Sequence, residues 1–295
     1  MSSYLLKTMK DSRAWLSYAI ITTVFWWVCG ALIETPQKAG FPPTLGYIVW
    51  ALTMIPCALV ALYLVKWKIE TDKRSILLGS AVGLLGAGGQ LLLFQALKEG
   101  PAYIIFPFIS LYPVLTIFLS VLILKEKTSL LKWAGIGTAL LAIYFLSYQE
   151  PGASDSRGYL WLGLSLLVFA AWGLQAYVMK FSNETMKAES ILFYMAVTAL
   201  LLSPFAWFMT DFSQPINWGF KGPYLAALIH VLNSIGALML VYALRYGKAI
   251  IVVPLTGLAP VITIILSLIL YAVFPGLMLT IGLVLAVIAM FVLSF

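Results

Sequence analysis

Apolar stretches of about 20 residues alternate along the chain with short polar connections, and inside the stretches hydrophobic and polar residues do not alternate. A run of that length matches a helix crossing the hydrocarbon core of a bilayer, while the missing two-residue period argues against barrel strands. The pattern predicts ten helical spans, at 14–34, 44–66, 75–97, 101–124, 129–149, 158–180, 189–210, 222–244, 249–273 and 276–295. The connections leave no room for a soluble domain. The longest, SYQEPGASDSRG over 147–158, reads as a linker between two halves.

Composition agrees with lipid as the solvent. Of 295 residues, 62% are hydrophobic and only 10% charged, against about a quarter charged in a soluble domain. The net charge of +7 sits in the connections, so membrane topology explains it better than a nucleic-acid partner does. With ten spans, fourteen of the 18 Lys and Arg fall on one face: Lys7, Lys10 and Arg13 before the first span, then Lys66 to Arg74, Lys125 to Lys132, Lys180 and Lys187, and Arg245 and Lys248. Only Lys38, Lys98, Arg157 and Lys221 fall on the other. Positive residues stay inside, which predicts a plasma (inner) membrane protein with both termini cytoplasmic. The first run is long enough to span and no small-x-small site follows it, so no cleavable signal is expected. Cys29 and Cys57 lie inside apolar runs, and neither a disulfide frame nor a metal site follows from them. No phosphate-binding G-x4-GK[ST] loop occurs, so no nucleotide cofactor is expected.

The chain repeats itself. ALKEGPAYIIFPFISLYPVLTIFLSVLIL from Ala96 aligns without a gap on ALRYGKAIIVVPLTGLAPVITIILSLILY from Ala243, at an offset of 147 residues. Pro107 falls on Pro254 and Pro113 on Pro260, and the match runs on from Gly135 and Gly282 to Ser147 and Ser294. Trp26 and Trp172 correspond at an offset of 146, Pro56 and Pro204 at 148. The chain is thus two five-span units, 1–150 and 151–295. Five crossings end on the opposite face, so the second unit is inserted upside down. The fold class that follows is an all-α membrane protein, ten transmembrane helices in two inverted five-helix repeats around a central cavity, which is the architecture of secondary transporters. Pro107, Pro113, Pro254 and Pro260 each remove a hydrogen bond from the fourth or ninth span. They mark those spans as matched gate helices.

Ionisable residues are nearly absent from the spans, and burying one at midplane costs about 2.5–3.5 kcal/mol or more. That argues against a strongly charged cargo. His230, in the eighth span, is the exception. Asn233 lies three residues on, on the same helix face. Gly83 and Gly86 are their repeat equivalents, and Gln90 continues that third-span face. His230 is also the candidate carrier of a coupling proton. Trp26, Trp27 and Trp172 are mid-span rather than at the interfaces where Trp collects, and they suggest an aromatic wall, with Gln175 and Tyr112 beside it. Gly79, Gly83 and Gly86 form a small-residue face suited to close helix packing. Glu126, between Lys125 and Lys127, reads as a solvated ion pair at a span end.

The AL-x3-PA-x4-P-x5-P run from Ala96 to Pro113, its echo from Ala243, the LKEK end with Glu126, and Trp172-Gly173 resemble the drug/metabolite transporter superfamily, in particular ten-span proteins with two EamA repeats. Val273 stands at the repeat position of Glu126, and Trp27 where the family often has Gly. The resemblance implies a carrier whose cavity is lined by the first, third, fourth, sixth, eighth and ninth spans, moving small metabolites by proton-coupled export or by facilitated diffusion. With the residues above, the expectation is a secondary transporter of neutral, zwitterionic or amphipathic organic molecules, amino-acid-like or drug-like, using alternating access. An exchanger of nucleotide sugars or other anionic metabolites is the alternative. One histidine and scattered acids offer no catalytic cluster, so an enzyme is not expected.

Overall fold

The computed structural model describes residues 2–100, 102–123, 125, 127, 129–147, 158–257 and 276–294. The helices are α1 (Ser2–Leu32), α2 (Glu34–Lys38), α3 (Pro43–Leu64), α4 (Lys73–Glu99), α5 (Ala102–Ile109), α6 (Pro113–Leu122), α7 (Leu130–Ser147), α8 (Leu160–Ser182), α9 (Ala188–Phe208), α10 (Leu225–Tyr246), α11 (Ala249–Thr256) and, here labelled α12, Leu277–Ser294. Among the described residues, six stretches are long and apolar enough to cross a membrane unaided: Ala14–Lys38, Pro43–Leu64, Lys73–Glu99, Leu160–Ser182, Ala188–Phe208 and Phe220–Tyr246. Each expected span has a helix. The ninth is described only to Gly257, so Pro260, like Glu126 and Arg157, lies outside the described residues.

Local chemistry sets the helix ends. Pro43 opens α3, where its missing N–H costs nothing. Asp72 caps α4, its Oδ2 accepting from the Ser75 N–H at 3.2 Å. The third helix of each repeat stops at an equivalent glycine, Gly100 after α4 and Gly247 after α10.

The fourth span is not one helix. Pro113 cannot donate to Ile109, and the carbonyls there turn to nearer partners. Tyr112 N–H donates to the Ile109 carbonyl at 3.0 Å, Leu111 N–H to Phe108 at 3.3 Å, and Val114 N–H to Leu111 at 3.0 Å. This tight turn over 110–112 separates α5 from α6. In the second half, α11 covers 249–256, the positions of α5 shifted by 147. Pro107 and Pro254 lie within these short helices, whereas Pro56 and Pro204 sit inside the unbroken α3 and α9.

The two repeats embrace through reciprocal contacts. A Cβ on Gly89 of α4 would stand 2.6 Å from the Trp172 Nε1 of α8; a Cβ on Gly236 of α10 would stand 2.6 Å from the Trp26 Nε1 of α1. Gly100 faces Trp161 as Gly247 faces Trp15, and Gly135 of α7 faces Leu293 of α12 as Gly282 of α12 faces Leu146 of α7. Every pair maps onto its mate at an offset of 146 or 147. Contacts of the form i–j′ with i′–j are the signature of a two-fold axis. Five crossings place the second repeat on the far face, so this axis lies in the membrane plane and the repeats are inverted. The first span of each repeat packs on the third of the other, α1 on α10 and α8 on α4; second packs on second, α3 on α9, and fifth on fifth, α7 on α12.

The glycine face of α4 receives the second repeat as expected of small residues. Gly79 meets the Tyr194 ring of α9 and Gly83 its Thr198, while Gly86 and Gly89 meet Gln175 and Trp172 of α8. Two charged residues are buried at helix ends. Lys132 Nζ donates to the Leu293 carbonyl at 2.7 Å, and Glu189, in the first turn of α9, accepts from the Tyr242 hydroxyl. Each thus meets a helix terminus of suitable polarity.

Candidate functional site

At the two-fold axis the helices leave a cavity of about 120 Å³, roughly ten times the space of about 10–15 Å³ that one water requires. Its walls are Trp26, Cys29 and Gly30 of α1, Ile33 just after it, Trp50 of α3, Gly86, Gln90 and Leu93 of α4, Phe106 and Ile109 of α5, and Ser110 and Tyr112 of the turn. The second repeat adds Trp172, Gln175 and Ala176 of α8, Met195 of α9, Asn233, Ala237 and Leu240 of α10, and Thr256 and Gly257 at the end of α11. No Lys, Arg, His, Asp or Glu lines it among the described residues. Both short helices, α5 and α11, end here. The Tyr112 hydroxyl lies beside Thr256, and a Cβ on Gly257 would be 3.0 Å from the Pro113 ring.

Six of the side chains singled out in the sequence come together: Trp26, Gln90, Tyr112, Trp172, Gln175 and Asn233 all line the cavity. The Tyr112 and Trp172 rings meet edge to face at 6.2 Å. His230 and Trp27 stand elsewhere. His230 is 3% exposed, its ring packs edge to face on Phe94 at 5.9 Å, and its Nδ1 has no partner among the described residues. The Trp27 indole nitrogen is likewise buried without a described partner. Of the prolines, Pro113 opens α6 after the turn next to the cavity, Pro254 lies in the last turn of α11, and Pro107 falls in α5, one residue past Phe106.

Four lining side chains able to hydrogen-bond were not singled out as site residues. Cys29 is the repeat equivalent of Gln175, and Ser110 and Thr256 flank the proline breaks, so the repeat alone carried a signal for all three. Trp50 had none, since a Trp near the end of a span reads as an interfacial anchor. Its indole nitrogen donates to Asn233 Oδ1 at 2.7 Å and fixes that carboxamide. The Trp26 indole nitrogen donates to the Asn233 backbone carbonyl at 3.3 Å. Trp50 and Met195 also bring the second and seventh spans into the lining, beyond the six spans the resemblance implied.

The polar corners of the cavity are related by the two-fold axis but carry different groups. Gln175 of α8 rests on Gly86 of α4, where a Cβ would stand 2.1 Å from its Nε2. At the equivalent place, Cys29 of α1 lies beside Asn233 of α10. The large and small partners have changed sides.

A model of the EamA-like transporter family matches the chain twice, over residues 13–148 and 157–295. An uncharacterised protein of Methanocaldococcus jannaschii is 34% identical over 108 residues, which is 37% of this chain and 79% of that relative. That relative is therefore about as long as one repeat. A protein of known crystal structure superposes with a TM-score of 0.68 over 95% of this chain and 98% of its own, at 18% identity. This last likeness is one of fold.

Proposed function

The chain belongs to the EamA-like transporter family, and from that premise we propose that it moves small neutral, zwitterionic or amphipathic organic metabolites, amino-acid-like or drug-like, across the plasma membrane by alternating access, in the direction of export. The observation that carries the substrate class is the uncharged cavity walled by Trp26, Trp50, Trp172 and Tyr112. A nucleotide sugar or another anionic metabolite would enter it without a counter-charge, at a high desolvation cost. The aromatic wall instead suits an apolar or amphipathic body, and the carboxamides suit a polar end.

Alternating access is supported by the inverted pseudo-symmetry, which makes the two open states near-equivalent in energy, and by the helix break at the cavity. Pro107, Pro113 and Pro254, with Pro260 by repeat, are the hinges in this reading. The distribution of Lys and Arg supports cytoplasmic termini, and the repeat supports a boundary at 150/151. His230, packed on Phe94 behind the wall, fits a packing role better than that of a proton carrier.

The test is uptake by purified protein in liposomes, against a metabolite panel under two pH gradients. Protein-dependent uptake of neutral or zwitterionic compounds, with none of sugar phosphates or nucleotide sugars, is the expected result. Uptake of the anions alone would overturn the substrate class.

A further inference from the structure

We propose that the cavity holds its substrate in one orientation, with an uncharged head that both donates and accepts hydrogen bonds, a carboxamide being the simplest, bound between Gln90 and Gln175. This rests on the transport reading above and narrows its substrate class.

The two-fold axis generates two equivalent corners, Gly86, Gln90 and Gln175 on one side and Asn233, Ala237 and Cys29 on the other. In the second corner the acceptor oxygens are already taken. Asn233 Oδ1 is taken by the Trp50 indole, its backbone carbonyl by Trp26, and Ala237 is apolar where Gln90 has an amide. The first corner is unsatisfied. Gln175 is seated in the notch at Gly86, and Gln90 stands one helical turn further along the same face of α4. Gln90 is 6% exposed, and neither carboxamide hydrogen-bonds to any described residue.

Each glutamine offers one acceptor oxygen and two N–H donors. Together they present both kinds of group, side by side, in a cavity shielded from bulk water. Leaving such groups unpaired is costly, so a ligand that pairs both kinds gains most. A head that only accepts, such as a carboxylate, leaves the oxygens unpaired. One that only donates, such as an ammonium, leaves the N–H groups unpaired. Either ion also arrives with no counter-charge among the lining residues. With the head fixed at this corner, the body extends toward the second corner and lies against Trp26 and Trp172.

The test is calorimetric titration of the purified full-length protein with four probes sharing one body: 3-phenylpropanamide, 3-phenylpropanoate, 3-phenylpropylammonium and phenylalanine. The amide is expected to bind at least tenfold more tightly than either ion, and Gln90→Leu or Gln175→Leu to remove that advantage. Gln175→Glu is expected to move the preference to the ammonium by at least tenfold, a gain that a misfolded protein cannot mimic. Ions binding as tightly as the amide, an advantage that survives both Leu variants, or phenylalanine as the tightest probe would each overturn the inference. So would binding of none of the four. In all these cases the transport reading stands or falls separately, on the liposome panel.

Discussion

The same addition, one methyl group, has opposite expected effects at two glycines one turn apart on α4. At Gly83 a Cβ would stand 2.0 Å from Thr198 Oγ1 and 2.8 Å from the Tyr194 backbone carbonyl. Thr198 is itself held, donating to Tyr194 and Met195 carbonyls at 2.8 and 3.0 Å, so neither neighbour gives way. Gly83→Ala is expected to cost about 1–3 kcal/mol, as overpacking does, and to lower the thermal unfolding midpoint in detergent. At Gly86 the obstruction is the far end of a flexible glutamine. Gly86→Ala should leave the midpoint nearly unchanged and displace Gln175, which chemical shifts of its labelled side-chain amide would register. A third change tests the fixed corner. Trp50→Phe keeps an aromatic ring but deprives Asn233 Oδ1 of its donor, and is expected to cost about 1–3 kcal/mol in the same melt. Gln90 and Asn233 were legible in the sequence because an amide in an apolar run has to be used for something. Trp50 was not, because its partner is 183 residues away. His230 shows the converse limit, since its polarity marks it as unusual without saying that it faces Phe94 rather than the cavity.

Among the elements, the broken helices were the most legible and the least complete. Prolines repeated at an offset of 147 marked the fourth and ninth spans as matched gate helices, and α5 and α11, which open them, both run for eight residues to equivalent ends. The sequence did not say how the released carbonyls would be satisfied. That depends on whether the chain continues as a bent helix or closes a tight turn, and the turn prevails: Ile109 is reached by Tyr112, three residues on, instead of remaining open. Such a turn converts back to helix if the missing N–H is supplied. Pro113→Ala is expected to join α5 to α6, withdraw Tyr112 from Thr256, and slow transport several-fold. Cys29, in the cavity wall, reports on it: in a Cys57→Ser background, an impermeant thiol reagent applied from each side should label Cys29 at a changed ratio. An unchanged ratio and an unchanged rate, in both Pro113→Ala and Pro254→Ala, would remove the hinge role.

At the scale of the whole molecule, the two-fold axis is obeyed at a set of reciprocal glycine contacts and broken at the polar corners of the cavity. The glycine contacts Gly89–Trp172, Gly100–Trp161 and Gly135–Leu293 each have a mate of the same kind. Gln175 on Gly86 and Cys29 beside Asn233 do not match in chemistry. At these three contacts the space for a side chain is missing on both sides of the axis, whereas cavity walls face space and can diverge. The α7–α12 pair, where fifth span meets fifth, gives the most direct test of the axis. In a background with Cys29→Ser and Cys57→Ser, oxidation is expected to cross-link Gly135→Cys to Leu293→Cys, and Leu146→Cys to Gly282→Cys, to similar extents on a gel. The pair Gly135→Cys with Gly282→Cys should stay apart, because position 282 lies eleven residues from position 293 along α12, about 16 Å at the helical rise. Repeats running the same way through the bilayer would reverse this outcome, bringing the two glycine positions together and separating each from its leucine.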